Sequence, residues 1–364
     1  MSVESGAFAS LRLWESLRVA KERCASDVHI ATGLVPAIRA GGELALLGSS
    51  PVTPAEIGEM LRLAMDQGQR TRLAHDADIT VTVDYPDIGT LRLHASTTDA
   101  GTSLAFRLLP NEVPTLDSLC LPEIVRQLLS KTHGLLIFAG PTGSGKSTSL
   151  AGAIRYLSAM GKRRIICIED PIEFRYRGKE SLVTQRQVGR DVANCADAVL
   201  ASLRSDPDII LIGEMRDAAT MRAALLAAET GHLVLTTLHT GEAPQTVDRI
   251  VDAFDAGEQR AVRSTLANVL LGVLCQRLVR CRAARSRRVA AEVLVTNDAV
   301  RALIRDGKSH QLRNVISTGR DLGMQSLEQH LCDLLTSREI EIEEALRQTN
   351  RGEELVALLR GMTG

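Results

Sequence analysis

The residues Gly140-Pro141-Thr142-Gly143-Ser144-Gly145-Lys146-Ser147 constrain the fold of this chain more than any other stretch. They fit the spacing G-x-x-x-x-G-K-[ST], directly after an apolar run at 135–139 and before an apolar-periodic segment that predicts a helix from near Ser147. A strand that turns into a helix through glycines aims several backbone N–H groups at one point, at the positive end of the helix. Gly143 and Gly145 keep side chains out of the way of the phosphate oxygens that such a turn attracts. In this loop Lys146 is expected to neutralise β and γ oxygens of ATP, and Ser147, followed by Thr148, to ligate Mg2+.

Short apolar runs at 135–139, 165–168, 209–212 and 233–237 alternate with helical segments, the pattern of a largely parallel sheet covered by helices. Residues at the carboxyl ends of such strands face the ligand crevice. The run 209–212 ends in Gly213-Glu214, which makes Glu214 the candidate acid for Mg2+ or its water; in isolation the same carboxylate reads as a solvated turn residue. The run 165–168 continues into Glu169-Asp170-Pro171-Ile172-Glu173, an acidic cluster able to orient or deprotonate an attacking water, or simply a loop of solvated charges. His232 and His239 bracket the run 233–237. A lone histidine at such a place is usually structural; beside the other motifs His239 reads as a γ-phosphate sensor.

The 364 residues, 45% hydrophobic, suffice for two packed domains. Apolar residues recur at helical spacing from Phe8 to Arg23, and 79–83 alternates before Asp84 and the turn Pro86-Asp-Ile-Gly89, which predicts a small α+β domain. Pro110, Pro114 and Pro122 interrupt both helix and central strand, so the expected division is an N-terminal domain at 1–109, a linker at 110–122, an ATPase core at 123–296 and a helical region at 297–364. Amphipathic stretches at 299–305 and 327–335 support that last part. A formal net charge of -1, from 43 basic and 44 acidic residues, gives no overall field for nucleic acid or anionic membrane. Only 2% aromatic residues leave few platforms for base stacking, which argues against a nucleic-acid translocase. Seven cysteines without a C-x-x-C pair argue against a secreted disulfide framework and fit a reducing cytoplasm. No signal-peptide pattern and no apolar run of about 18 residues is present, so the chain is expected to be neither exported nor membrane-spanning.

Four blocks, GPTGSGKST (140–148), IEDPIEF (168–174), RSDPDIILIGEMRD (204–217) and AAETGHLVLTTLHT (227–240), resemble in order the Walker A, Asp, Walker B and His boxes of the secretion ATPases. Within that family the chain resembles the twitching-motility (PilT-like) branch, the retraction ATPases of type IV pili, over nearly its whole length. The resemblance implies a RecA-like P-loop ATPase core behind a PAS-like N-terminal domain, assembled as a homo-hexamer with nucleotide between subunits. It assigns Lys146 and Ser147 to phosphate and magnesium, Glu214 to the Walker B acid, Glu173 to activation of water, and His232 and His239 to the His-box pair. SDVHI (26–30) and TLRLHAS (90–96) also resemble the family, with Thr90 standing where one of two arginines is usual. Arg92 and Arg107 remain as arginines that either reach the nucleotide or lie on the surface.

AVRALIRDGKSHQL (299–312) resembles the C-terminal signature of retraction ATPases, and the chain has neither the tetracysteine zinc module nor the longer N-terminal region common in the extension and type II secretion branches. The resemblance therefore implies a cytoplasmic motor, peripheral to the inner membrane through a pilus platform protein, that retracts a pilus. A type II/IV secretion or conjugation ATPase and a non-motor accessory paralogue are the alternatives. Two departures stand out. Gly241-Glu242-Ala243 replaces the usual small polar run after the His box, and 280–288 is rich in arginine, as a solvated loop or as a contact for an acidic partner or lipid head groups.

Overall fold

The computed structural model describes residues 12–40, 43–85, 87–109, 112–176, 180–282 and 287–363. Phe8, Pro86 and Pro110, and Arg285 of the arginine-rich segment, lie outside them. The chain divides into two compact units: one comprises the chain up to Glu112 together with Pro171–Arg175, the other Val113–Asp170 with Tyr176 onward.

The first unit is a six-stranded antiparallel sheet, β1 (Asp27–Ala31), β2 (Ala37–Ala40), β3 (Glu43–Leu46), β4 (Asp78–Tyr85), β5 (Gly89–Thr98) and β6 (Gly101–Leu108), in the order β3-β2-β1-β6-β5-β4. Alternation along the long strands sends Val81, Val83, Leu91, Leu93, Leu104 and Phe106 into a core with Leu13 and Leu17 of the helix Arg12–Glu22 and Met60 of the helix Pro54–Ala64. Thr53 opens the latter helix with a capping box closed by Glu56. The alternate positions are polar, and on them Arg92 stands directly opposite both Thr82 and Arg107, and Arg107 opposite Asp27.

The second unit is built on seven strands, β7 (Gly134–Ala139), β8 (Arg164–Glu169), β9 (Leu182–Gln187), β10 (Ile209–Ile212), β11 (Leu233–Leu238), β12 (Leu270–Arg280) and β13 (Arg287–Val295), ordered β13-β12-β7-β11-β10-β8-β9. All neighbours are parallel except β12 and β13. Because both faces are covered, the central strands are buried along most of their length and read as apolar runs: Leu135, Ile137 and Ala139 of β7 enter one core, Leu136 and Phe138 the other. Leu116, from the segment 113–122, is buried in the second of these cores with Leu150 and Ile154. The C-terminal helices Leu327–Thr336, Ile342–Gln348 and Gly352–Thr363 enclose a smaller core around Leu331, Ala345 and Leu355. The amphipathic stretch 299–305 lies in the helix Asp298–Arg305, with Val300 and Ile304 inward.

Candidate active site at the carboxyl edge of the parallel sheet

β7 ends at Ala139, and the chain leaves it through Gly140 at φ 144°, where a Cβ atom would come within 2.4 Å of the Gln276 carbonyl oxygen. Gly143 and Gly145 also hold positive φ, at 78° and 88°. The loop between them, Pro141 to Gly145, hands over to the helix Lys146–Met160. Pro141, Thr142, Gly143 and Ser147 are exposed there, Thr148 is partly covered, and Ser144 is buried. From β12, Gln276 Nε2 donates to the Ser144 carbonyl at 2.8 Å and pins the loop from beneath. Lys146 is only 7% exposed and folds back over its own loop, its Nζ donating to the carbonyls of Gly140 (2.8 Å) and Pro141 (2.9 Å).

The register of the parallel strands carries three further groups to the same edge. Lys146 Nζ lies 3.5 Å from His239 Nδ1, the residue after β11, and His239 Nε2 lies 3.2 Å from Glu214 Oε1, just beyond β10. The other oxygen of Glu214 accepts from Arg216 Nε at 2.8 Å, and Arg216 Nη1 reaches Asp170 Oδ2, after β8, at 3.1 Å. Glu169 is nearly buried and accepts from Gln185 Nε2 at 2.9 Å. The backbone holds these turns together: Thr237 Oγ1 donates to the Gly213 carbonyl at 2.7 Å, and Met215 N–H to the Thr237 carbonyl at 3.2 Å. One row of side chains therefore runs from the glycine loop across three strand ends, with ionisable groups of both signs within hydrogen-bonding reach. Such a row can receive a polyanion and redistribute its own hydrogen bonds around it.

His232 is not part of that row. It precedes β11, its carbonyl accepting from Gly134 N–H at the opposite end of the sheet, and a six-residue strand of roughly 20 Å separates it from His239. Its Nδ1 lies 2.9 Å from the Ala227 carbonyl, at the end of the preceding helix. Glu173 belongs to the segment that packs with the first unit, where its carboxylate accepts from Arg92 Nη2 at 2.7 Å. Arg107 donates to Asp27 at 2.9 Å and is well exposed. Burial pushes the Asp27 carboxyl up, but hydrogen bonds from Ser26 and Arg107 outweigh it and hold the group below its ordinary range. Thr90, in the place of the family's usual arginine, bonds Asp84 at 2.6 Å. Arg216 and Gln276 were missed by sequence reasoning. Arg216 was legible as the cation two residues after a strand-end acid, whereas Gln276 carried no local signal.

A glycine loop between a buried strand and a helix, with acids at the neighbouring strand ends of a parallel sheet, defines a P-loop ATPase of RecA-like fold. Here a smaller α+β, PAS-like unit precedes it and a helical region follows. The Type II/IV secretion system protein family matches residues 12–358, and the chain belongs to that family. Among similar proteins, the type IV pilus retraction ATPase PilT of Pseudomonas aeruginosa is 39% identical over 91% of this chain and 96% of its own length. The twitching motility protein of Neisseria gonorrhoeae is 39% identical over 88% of this chain and 86% of its own. A crystal structure of the pilus retraction motor PilT with bound ADP superposes with a TM-score of 0.85 at 37% identity, covering 93% of this chain and 98% of that one. Among the described residues no helix is long and apolar enough to cross a membrane, and no cluster of three or more His, Cys, Asp or Glu could hold a metal ion by itself.

Proposed function

We propose that this chain assembles as a hexamer whose ATP hydrolysis drives retraction of a type IV pilus, acting at the inner membrane through a pilus platform protein. The observation that carries the reading is the contact row Lys146–His239–Glu214–Arg216–Asp170 beside a solvent-open glycine loop. The likeness to pilus retraction ATPases over nine-tenths of the chain supports the biological role.

In this reading Lys146 exchanges its two loop carbonyls for β and γ phosphate oxygens, so that the ammonium passes from neutral acceptors to anionic ones. His239, between Lys146 and Glu214, meets the γ-phosphate end and reports its presence to both. Mg2+ needs only one or two protein oxygens, because it keeps phosphate oxygens and waters as its other ligands. The exposed Ser147 and the Glu214 carboxylate fit that requirement. When bound, the ion would neutralise negative charge on the phosphate oxygens. Glu173 is the proposed activator of the attacking water, with one carboxylate oxygen held by Arg92. His232 keeps a place in the proposal only through its resemblance to the family's histidine pair.

The test is Mg-dependent ATP turnover and particle mass of the purified chain, with surface motility and pilus counts in a deletion strain. Lys146→Ala and Glu214→Ala are expected to abolish turnover, and the deletion to leave pili extended and surface motility lost. A monomer with unaltered activity in both variants would sink the motor reading; normal pili with a secretion defect would move the chain to protein export.

A further inference from the structure

Glu242 follows His239 by three residues and sits at the start of the helix Ala243–Val251, yet its side chain makes no cap for that helix. The Ala243 N–H is taken instead by Glu292 Oε1 of β13, at 2.6 Å. Freed from capping, the Glu242 carboxylate turns to the C-terminal part of the chain. Its Oε2 accepts from Arg313 Nη2 at 2.7 Å, on the helix Leu312–Thr318, and its Oε1 from Arg351 Nη2 at 2.5 Å, just before the helix Gly352–Thr363. Arg351 continues to Glu328 Oε2 at 3.5 Å, on the helix Leu327–Thr336. The other oxygen of Glu328, a residue 1% exposed, accepts from Thr349 Oγ1 at 2.5 Å. Arg277 of β12 donates to the Gln348 carbonyl at 2.6 Å, and its Nη2 would stand 3.7 Å from a side chain at Gly241.

One carboxylate thus gathers two arginines, one from the helix Leu312–Thr318 and one from the segment before Gly352–Thr363, and through the latter a further helix, three residues from the histidine that faces the phosphate loop. We propose that Glu242 is a positioning residue: it clasps the His239 loop to the C-terminal helices, so that occupancy of the phosphate site sets where those helices lie. The proposal rests on the ATP-site reading of Lys146 and His239. A salt bridge whose only role was surface stability would contribute little, about 0–1 kcal/mol when exposed. This cluster is partly buried, shares one anion between two guanidinium groups, and joins elements far apart in sequence. A contact of that kind is a physical link through which the two elements it joins can be coupled.

Hydrogen–deuterium exchange on the full chain, with and without Mg-AMPPNP, tests it together with ATP turnover. In the wild type, nucleotide is expected to slow exchange in 140–148 and to change it at least twofold in 312–318 and 342–363. Glu242→Gln keeps the response in 140–148, loses the response in the C-terminal helices, and lowers kcat about fivefold with KM for ATP within twofold. The Glu242→Gln/Arg351→Met double variant is no slower than the worse single variant, and Arg351→Lys recovers part of what Arg351→Met loses. Should Glu242→Gln not fold, Arg313→Met and Arg351→Met each remove one half of the clasp and carry the same comparison. C-terminal helices that respond normally in these variants, or losses that add in the double variant, overturn the clasp. No nucleotide response at 140–148 in the wild type overturns the ATP-site reading, and the clasp with it.

Discussion

At the scale of single residues, the phosphate loop is held by its crowding. Gly140 has the backbone oxygen of Gln276 and the hydroxyl of Ser144 where a Cβ would go, at 2.4 and 2.6 Å, and a φ that side chains rarely adopt. Gly140→Ala is therefore expected to cost roughly 1–3 kcal/mol of stability from backbone strain and overpacking. The same change should displace the loop, so nucleotide affinity falls as well. Thermal melting and titration with a fluorescent ADP read the two effects separately; a variant with unchanged melting and unchanged affinity would mean the loop relaxes freely. Gly143, with no heavy atom near its missing Cβ, differs: its φ of 78° is the only obstacle, and the penalty there is conformational alone. The glycines and Lys146 were legible because local geometry demands their residue types. The pairings of Arg92 with Glu173 and of Arg107 with Asp27 were not, since each joins residues about 80 positions apart, the second brought together by strand order and the first by the return of Pro171–Arg175 to the first unit.

At the scale of elements, β7, β8, β10 and β11 could be read as continuous apolar runs because both faces of each are buried. β12 and β13 belong to the same sheet but escaped that reading. Each buries a polar residue in mid-strand, Gln276 at 1% and Glu292 at 3% exposure, which breaks the apolar run that marks a central strand. β9 escaped for another reason: it is an edge strand with only Gln187 fully buried. The interruption in β12 is where that strand meets the site, and the one in β13 holds the Ala243 N–H. Gln276 is the strut under Ser144, so Gln276→Leu keeps the strand and leaves the Ser144 carbonyl unpaired in a buried place, at about 1–3 kcal/mol. Part of that cost is expected to surface as loss of preorganisation in the loop, a five- to thirtyfold weaker binding of ADP, with β12 itself intact by hydrogen exchange. Full affinity in Gln276→Leu would show that the glycine turn needs no support from β12.

At the scale of the whole molecule, nothing local in Pro171–Arg175 announces that this pentapeptide packs with the first unit while the strands on either side of it belong to the second. Global stability depends on a similarly distant arrangement. Glu292 is buried among Glu242, Glu328, Arg313 and the Cys275 thiol, and burial first, then the two neighbouring carboxylates, push its pKa up from 4.5 to about 7, against the Ala243 N–H and Arg313. Because the folded pKa lies above the unfolded value, folding takes up a proton between pH 4.5 and 7. The contribution of this group is therefore least unfavourable below pH 4.5, becomes more unfavourable as pH rises to about 7, and stays constant above that. Glu292→Gln removes the titration and keeps an oxygen for the Ala243 N–H. It is expected to exceed the wild type in stability at pH 8, by on the order of 2–3 kcal/mol, with the difference shrinking towards pH 5. Urea unfolding at pH 5, 6.5 and 8 reads this directly. A difference that is the same at all three values would mean that Glu292 is ionised throughout, stabilised by Arg313 more strongly than burial opposes it.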